Sequence, residues 1–361
     1  MGLSAGKHDH AGLCPDAHRR ADRGKAPPRL SAGPGAGRLT GLFLSLCLFL
    51  TAAAAEPLRL ATWAGDFSRK GPGLLLKDLV SDDPVPGMAT LTAARADVIL
   101  LTNVDFDAGL VALGAMRAAL GAAGLDYPYL FALRPNTGMQ TGLDLDGDGR
   151  TGGPRDAQGY GWFSGQGGQA LLSRWPVTLL ADHSARLWTT LPDSAIAPED
   201  PADDVQRLSS TAHWALRVAH PDGPLTLLTL SATPPVFDGP EDRNGRRNRD
   251  EVLLWRHALE GALGPPPPGP HVLIGNLNLD PQGGEGWHEA VNAWLDDPLW
   301  QDPLAGQPSV TWDGVGPMRV SYILPAAMLT VRNAGTLPPE EGAGPHRLVW
   351  IDLLPGADPR R

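Results

Sequence analysis

The sequence predicts an α/β protein built as a four-layer sandwich, two mixed β-sheets packed face to face and flanked by helices. Three observations predict it. Nine short apolar runs follow one another from Leu58 to Leu353, with turn residues between them. Several are apolar on both faces, the pattern of strands buried between layers rather than of a sheet with one wet side. Helical periodicity separates only some of them, so strands outnumber helices and the helices are left for the outside of the stack.

The first 55 residues read differently from the rest. Gly, Ala, Pro, Arg and His dominate up to Arg38, the run from Leu42 to Leu50 is apolar, and Ala53, Ala54 and Ala55 follow. A basic flank, a short apolar stretch and small residues are the parts of an export signal, and the run breaks into alanines before the ~20 apolar residues a spanning helix needs. The expectation is a leader over residues 1–55 and a domain over residues 56–361. That domain is delivered to the periplasm or secreted, with no membrane span left after cleavage. Both cysteines, Cys14 and Cys47, fall in the leader. Disulfide, thiol and zinc-thiolate chemistry are thereby excluded from the remainder.

Within the domain, residues 58–63, 97–104, 129–133, 169–175, 213–218, 225–230, 271–277, 319–324 and 347–353 read as strands by length, composition and boundaries. Leu110, Leu113, Met116 and Leu120 keep one face of a helix apolar, and Val252, Trp255, Leu259 and Leu263 do the same. Gly124 and Gly264 are placed to stop these two helices, and a third covers Trp287 to Leu295. Residues 135–168, with a Gly/Asp-rich passage from Asp144 to Gly153, read as a loop, as do residues 192–206. Pro265 to Pro268 form a stiff connector.

Seven of the 30 basic and three of the 40 acidic residues lie before residue 56, leaving 23 and 37, a net charge near −14. Non-specific binding to nucleic acid relies on Lys and Arg neutralising phosphates, so this balance argues against general nucleic-acid binding.

Four stretches in order, Leu58 to Ala64, Ala96 to Asp105, His271 to Asn278 and Pro345 to Arg347, resemble the endonuclease/exonuclease/phosphatase superfamily, with its deoxyribonuclease-like fold. The middle of the chain is similar to a bacterial exported branch of it, through Gly142 to Arg150, Gly165-Gln166, Ala170 to Pro176, Leu208 to Ser210, His213-Trp214 and Pro234 to Asn248. The resemblance implies metal-assisted attack of water on a phosphoester. A hard cation such as Mg²⁺ needs oxygen ligands, including carboxylate. One imidazole stabilises developing charge, a second is oriented by an aspartate, and an Asp-X-Asn pair positions the water.

Placed on that pattern, the chain departs at most of the chemically important positions. Ala64 stands where an asparagine is expected, Asn103 where the metal-binding glutamate is expected and Ala232 where a histidine is expected. Asn276 replaces the first aspartate of Asp-X-Asn, Ser321 another aspartate, and Pro345 the aspartate that orients His346. Asn278 and His346 are retained. Loss of one general acid or base costs on the order of 10²- to 10⁴-fold in rate, and loss of a ligand removes the electrophile as well. The expectation is a pseudoenzyme with phosphoester hydrolysis lost or strongly weakened, keeping a cleft for a phosphate-containing ligand. One alternative is an active phosphodiesterase or phosphatase in which Asp105, on the same strand face as Asn103, serves as a relocated Mg²⁺ ligand. The other is a non-catalytic partner-binding exported domain.

Smaller signals complete the reading. Asp144, Asp146 and Asp148 followed by Gly149 resemble the first half of a Ca²⁺ loop, although Arg155 holds the position where a complete loop has glutamate. Arg243, Arg246 and Arg247 are candidates to clamp a phosphate through their guanidinium groups, with the alternative of a self-paired loop. His213 is a candidate to line the cleft. Without an acid before it, His346 reads as a hydrogen-bonded structural histidine.

Overall fold

The computed structural model describes residues 56–201 and 204–356; the expected leader and its cleavage point lie outside them. In chain order the elements are β1 (Leu58–Trp63), α1 (Leu74–Leu79), α2 (Met88–Ala94), β2 (Val98–Val104), α3 (Val111–Ala122), β3 (Tyr129–Phe131), β4 (Gly168–Ser173), β5 (Val177–Asp182), β6 (His213–Val218), β7 (Leu225–Ser231), α4 (Arg243–Leu259), β8 (His271–Asn276), α5 (Glu289–Leu295), β9 (Val310–Trp312), β10 (Gly316–Met318), β11 (Ser321–Pro325), β12 (Thr330–Leu337) and β13 (Leu348–Leu354).

One sheet runs β12-β13-β1-β2-β4-β3 and the other β11-β8-β7-β6-β5, with β9 and β10 forming a separate hairpin. Each sheet is antiparallel except for one pair, β1 with β2 and β7 with β8. A parallel pair needs a crossover connection. Helices α1 and α2 provide the first and α4 the second.

Three apolar layers separate the four structural ones, and the alternation of side chains builds them. On β1 and β2, Leu58, Leu60, Val98 and Leu100 point to the core between the sheets, whereas Ala61, Trp63, Ile99 and Leu101 point to a core shared with α1, α2 and α3. On β7, Leu225 and Leu227 face the inter-sheet core, while Leu228 and Leu230 pack with Val252 and Trp255 of α4 and Trp294 of α5. A strand buried on both faces has no polar alternation to show. For this reason the central strands read as continuous apolar runs.

The differences from expectation have physical causes. Strands β5 and β12 were not anticipated. Both are sheet edges, and β5 is largely exposed, so neither needs an apolar run. Helix α4 begins at Arg243, nine residues before the apolar stripe that predicts it. Among the described residues no helix is long and apolar enough to cross a membrane.

Candidate functional site

The C-terminal ends of the two parallel pairs meet at one end of the stack. The Ser231 hydroxyl at the end of β7 donates to the Thr102 carbonyl on β2 at 3.3 Å, bridging the sheets there. Asn276, the last residue of β8, lies opposite Ser231 on one side and Ser321 on the other. Its side-chain Nδ2 donates to Asn278 Oδ1 at 2.9 Å, and Asn278 Nδ2 donates to the Ala232 carbonyl at 2.7 Å. The Ala232 amide returns to the Asn276 carbonyl at 2.9 Å, and Ser321 Oγ donates to Asn276 Oδ1 at 3.5 Å. Ala232, Asn276, Asn278 and Ser321 thus form one closed network.

The remaining positions of the family pattern border it. Asn103 directly follows Thr102, and its carbonyl accepts from Phe67 N at 3.2 Å. Gly167 is so close that a side-chain carbon there would sit 3.1 Å from Asn103 Oδ1. Trp63, whose neighbour is Ala64, donates its indole Nε1 to the His346 carbonyl at 2.9 Å. His346 bridges to Val310 of the β9–β10 hairpin, its ring edge-on to Trp312 at 5.8 Å. Pro345 precedes it on the surface.

None of these eight positions carries a carboxylate. Burial lowers the His346 imidazole to about 4, so it is neutral at pH 7, and its Nδ1 has no hydrogen-bond partner among the described residues. A Mg²⁺ ion needs carboxylate oxygens to offset its dehydration. The amides and the methyls of Ala64 and Ala232 do not fit it.

The proposed replacement ligand, Asp105, is engaged elsewhere. One carboxylate oxygen accepts from Ser68 Oγ at 3.0 Å and Gly167 N at 3.1 Å, the other from Arg69 N at 2.8 Å. Burial pushes its carboxyl above the ordinary aspartate range, against these three donors and the Arg69 charge. Asp105 is a clasp that fastens three segments. Its neighbour Asp107 caps α3, accepting from Val111 N at 2.7 Å and Ala112 N at 2.9 Å.

The three arginines are likewise committed, which corrects their reading as a phosphate clamp. Arg246 holds Asp200 through two bonds of 2.6 and 2.8 Å. Arg243 pairs with the same carboxylate at 3.6 Å and donates to Gln206 Oε1 at 3.1 Å. Arg247 is buried and donates to the carbonyls of Leu208, Gln158 and Arg207. His213 is fully buried rather than in the cleft wall. Its Nδ1 meets Ser209 Oγ at 2.6 Å and its Nε2 the Glu251 carbonyl at 2.9 Å; burial lowers it to about 3.

Two residues that support the site escaped the sequence reading. Glu251, fully buried, accepts from Ser210 N at 2.5 Å and Thr233 N at 2.6 Å, tying the Ser210 turn to the residue after Ala232. Asn248 Nδ2 donates to the carbonyls of Thr233 and Leu277, at 2.7 and 2.8 Å, which sets the ends of β7 and β8. The available signal was the polar residues Asn248 and Glu251 beside the apolar stripe of one helix.

The Ca²⁺ expectation also changes membership. Asp144 and Asp146 group with Asp156, each offering a carboxylate oxygen within 4.8 Å of the others. Asp156 takes the place given to Asp148, which accepts from Arg150 N instead. Three hard oxygen donors suit Ca²⁺ in kind. Both oxygens of Asp144 and both of Asp156 already accept backbone amides of the same loop.

The sequence pattern described as "Endonuclease/Exonuclease/phosphatase family" matches residues 74–351. No curated protein matches the chain. The crystal structure of an endonuclease/exonuclease/phosphatase from Beutenbergia cavernae superposes with a TM-score of 0.52 at 16% identity, covering 83% of this chain and 72% of that one. An endonuclease/exonuclease/phosphatase family protein from Bacteroides thetaiotaomicron gives 0.46 at 12% identity, covering 83% of this chain and 98% of that one.

Proposed function

The chain belongs to the endonuclease/exonuclease/phosphatase family, and from that premise we propose that it is an exported member whose metal-assisted phosphoester hydrolysis is lost or strongly weakened, and whose sheet-end site persists as a binding cleft. One observation carries this reading. At the point where the family pattern puts a cation and an attacking water, Asn276 and Asn278 hydrogen-bond to each other and to Ala232. A carboxylate could not make the first of these bonds, since it has no proton to donate.

The consequence follows from charge. A phosphoryl group in its transition state needs positive charge or aligned donors placed in advance. Here His346 is neutral, Arg243, Arg246 and Arg247 are bound to protein groups, and among the described residues the one group of three or more acidic or histidine ligands, Asp144, Asp146 and Asp156, includes no position of the family pattern. The relocated-carboxylate alternative draws no support from Asp105, whose oxygens are occupied.

The test is turnover. Purified protein assayed on bis(p-nitrophenyl) phosphate with Mg²⁺, Mn²⁺ or Ca²⁺ is expected to stay at the rate of buffer. Metal-dependent hydrolysis that disappears in Asp105→Asn would instead establish an active enzyme with a migrated ligand. Joint restoration by Asn103→Glu, Ala232→His, Asn276→Asp and Pro345→Asp is expected to regain measurable activity.

A further inference from the structure

An aspartate followed by glycine is a dipeptide at which a chain can rewrite its own backbone, because glycine puts no side chain in the way of its own nitrogen. The glycine nitrogen attacks the aspartate Cγ, a C–N bond forms, and the amide proton leaves with the carboxyl hydroxyl as water. Water then opens the resulting succinimide ring at either carbonyl. Opening at the main-chain carbonyl leaves the backbone routed through the side chain, as isoaspartate. The net change is an isomerisation that consumes no other reactant. The attack requires the peptide plane before the glycine to turn, so a glycine N–H fixed on an acceptor is guarded.

The chain has five Asp–Gly bonds, and four are guarded in this way. Gly147 N and Gly149 N donate to the two carboxylate oxygens of Asp144, both at 2.8 Å. Gly223 N donates to the His220 carbonyl at 3.1 Å, and Gly239 N to Glu241 Oε1 at 3.0 Å. The one Asn–Gly bond, Asn244–Gly245, is wound into α4, and Asn244 Nδ2, the group that would have to leave, is held on the Val236 carbonyl at 2.7 Å.

The fifth bond differs. Asp313, Gly314 and Val315 form the exposed turn between β9 and β10, and Asp-Gly suits such a turn because Gly314 is left-handed, φ 77°. Gly314 N has no hydrogen-bond acceptor among the described residues, and a side-chain carbon on Gly314 would meet nothing within 4 Å. We infer that Asp313 is the position at which this protein modifies itself, converting to isoaspartate through the Gly314 amide, and that Asp144 protects the 146–149 loop from the same reaction. The consequence reaches the candidate site. Trp312 pairs with Gly316 across the turn and stands edge-on to His346 at 5.8 Å, while Val310 bridges His346. One added backbone carbon at residue 313 breaks that pairing and loosens the hold of the hairpin on His346. None of this depends on whether hydrolysis is lost.

Controlled ageing tests this. The whole protein is held at body temperature in mildly acidic buffer and digested at intervals, and isoaspartate is located by electron-transfer fragmentation of the peptides. Isoaspartate is expected at residue 313 about 10-fold faster than at 146 or 148, the factor by which one charge-assisted hydrogen bond holds an amide back, and faster than at 222 or 238. Asp144→Ala is expected to speed the reaction at 146 and 148 about 10-fold and to leave 313 unchanged. Asp313→Glu, whose longer side chain would have to close a larger ring, is expected to stay unmodified there. Hydrogen exchange over residues 310–318 should rise with age in the wild type but not in Asp313→Glu. Product at 313 no faster than at the guarded bonds would overturn the inference, and unchanged rates at 146 and 148 in Asp144→Ala would overturn the protective role of Asp144. Asp156→Asn controls for general loosening, since Asp156 braces the same loop through Leu145 N and Gly153 N without touching the glycine amides. A rise at 146 and 148 as large as in Asp144→Ala would likewise count against Asp144.

Discussion

Asn276 differs from the aspartate of the family pattern at one group, and that group decides its role. An amide nitrogen donates where a carboxylate oxygen accepts, and here it closes onto Asn278. The histidines show the same economy of charge. His213 and His346 are held neutral by burial, near 3 and 4. Because these folded values lie below the unfolded one, their contribution to stability is intact above about pH 6.5 and is lost as pH falls toward the folded values. At pH 5 each is expected to cost roughly 2 kcal/mol relative to pH 7. Chemical denaturation of the protein and of His346→Phe across pH 5–7 checks this; a pH slope unchanged by His346→Phe contradicts the share assigned to that residue.

At the scale of elements, α4 is the least obvious part of the fold and the one on which the site depends. Its first half, Arg243 to Glu251, is polar, yet Gly245, Arg247, Asn248, Asp250 and Glu251 are buried. Helix propensity does not account for this; tertiary bonds do. Arg246 and Arg247 tie α4 to Asp200 and to the 207–208 carbonyls, Asp250 accepts from Trp188 Nε1 at 2.6 Å, and Glu251 spans Ser210 and Thr233. Arg246→Ala would leave the Asp200 carboxylate with Arg243 at 3.6 Å and the Ala197 amide, a loss expected to be roughly 1–3 kcal/mol. Hydrogen exchange should then rise at residues 195–200. If Arg246 were instead a phosphate ligand, the same substitution would abolish binding of inorganic phosphate to the native protein, a binding not expected at all.

For the whole molecule, three apolar cores and one strongly acidic surface set the terms of recognition. Two sheets cross-linked at Ser231 and Thr102 hold the sheet ends together irrespective of what they bind. A net charge near −14 after residue 55 is expected to disfavour the encounter with polyanions over the range that salt leaves unscreened. Duplex and single-stranded DNA are expected to give no mobility shift at 150 mM salt even at tens of micromolar protein, about the non-specific range of basic proteins. A salt-sensitive shift in that assay would mean that a local basic groove overrides the total charge.

Strand positions were legible in the sequence because a strand buried on both faces is mostly apolar on both, and β1, β2, β6, β7, β8 and β13 are short, mostly apolar runs buried along most of their length. The residues standing at the family positions were equally legible, since identity and spacing alone name them. What residues such as Arg247, Asp105 and Asp156 do was not. Their partners lie 89, 62 and 11 residues away along the chain, at Gln158, Gly167 and Leu145, and a polar group that finds its partner inside the fold is less available to a ligand. Composition by itself determined which charges this protein has; only the tertiary structure decided which of them were already spent on one another, because hydrogen bonds in a packed interior are settled by proximity in space.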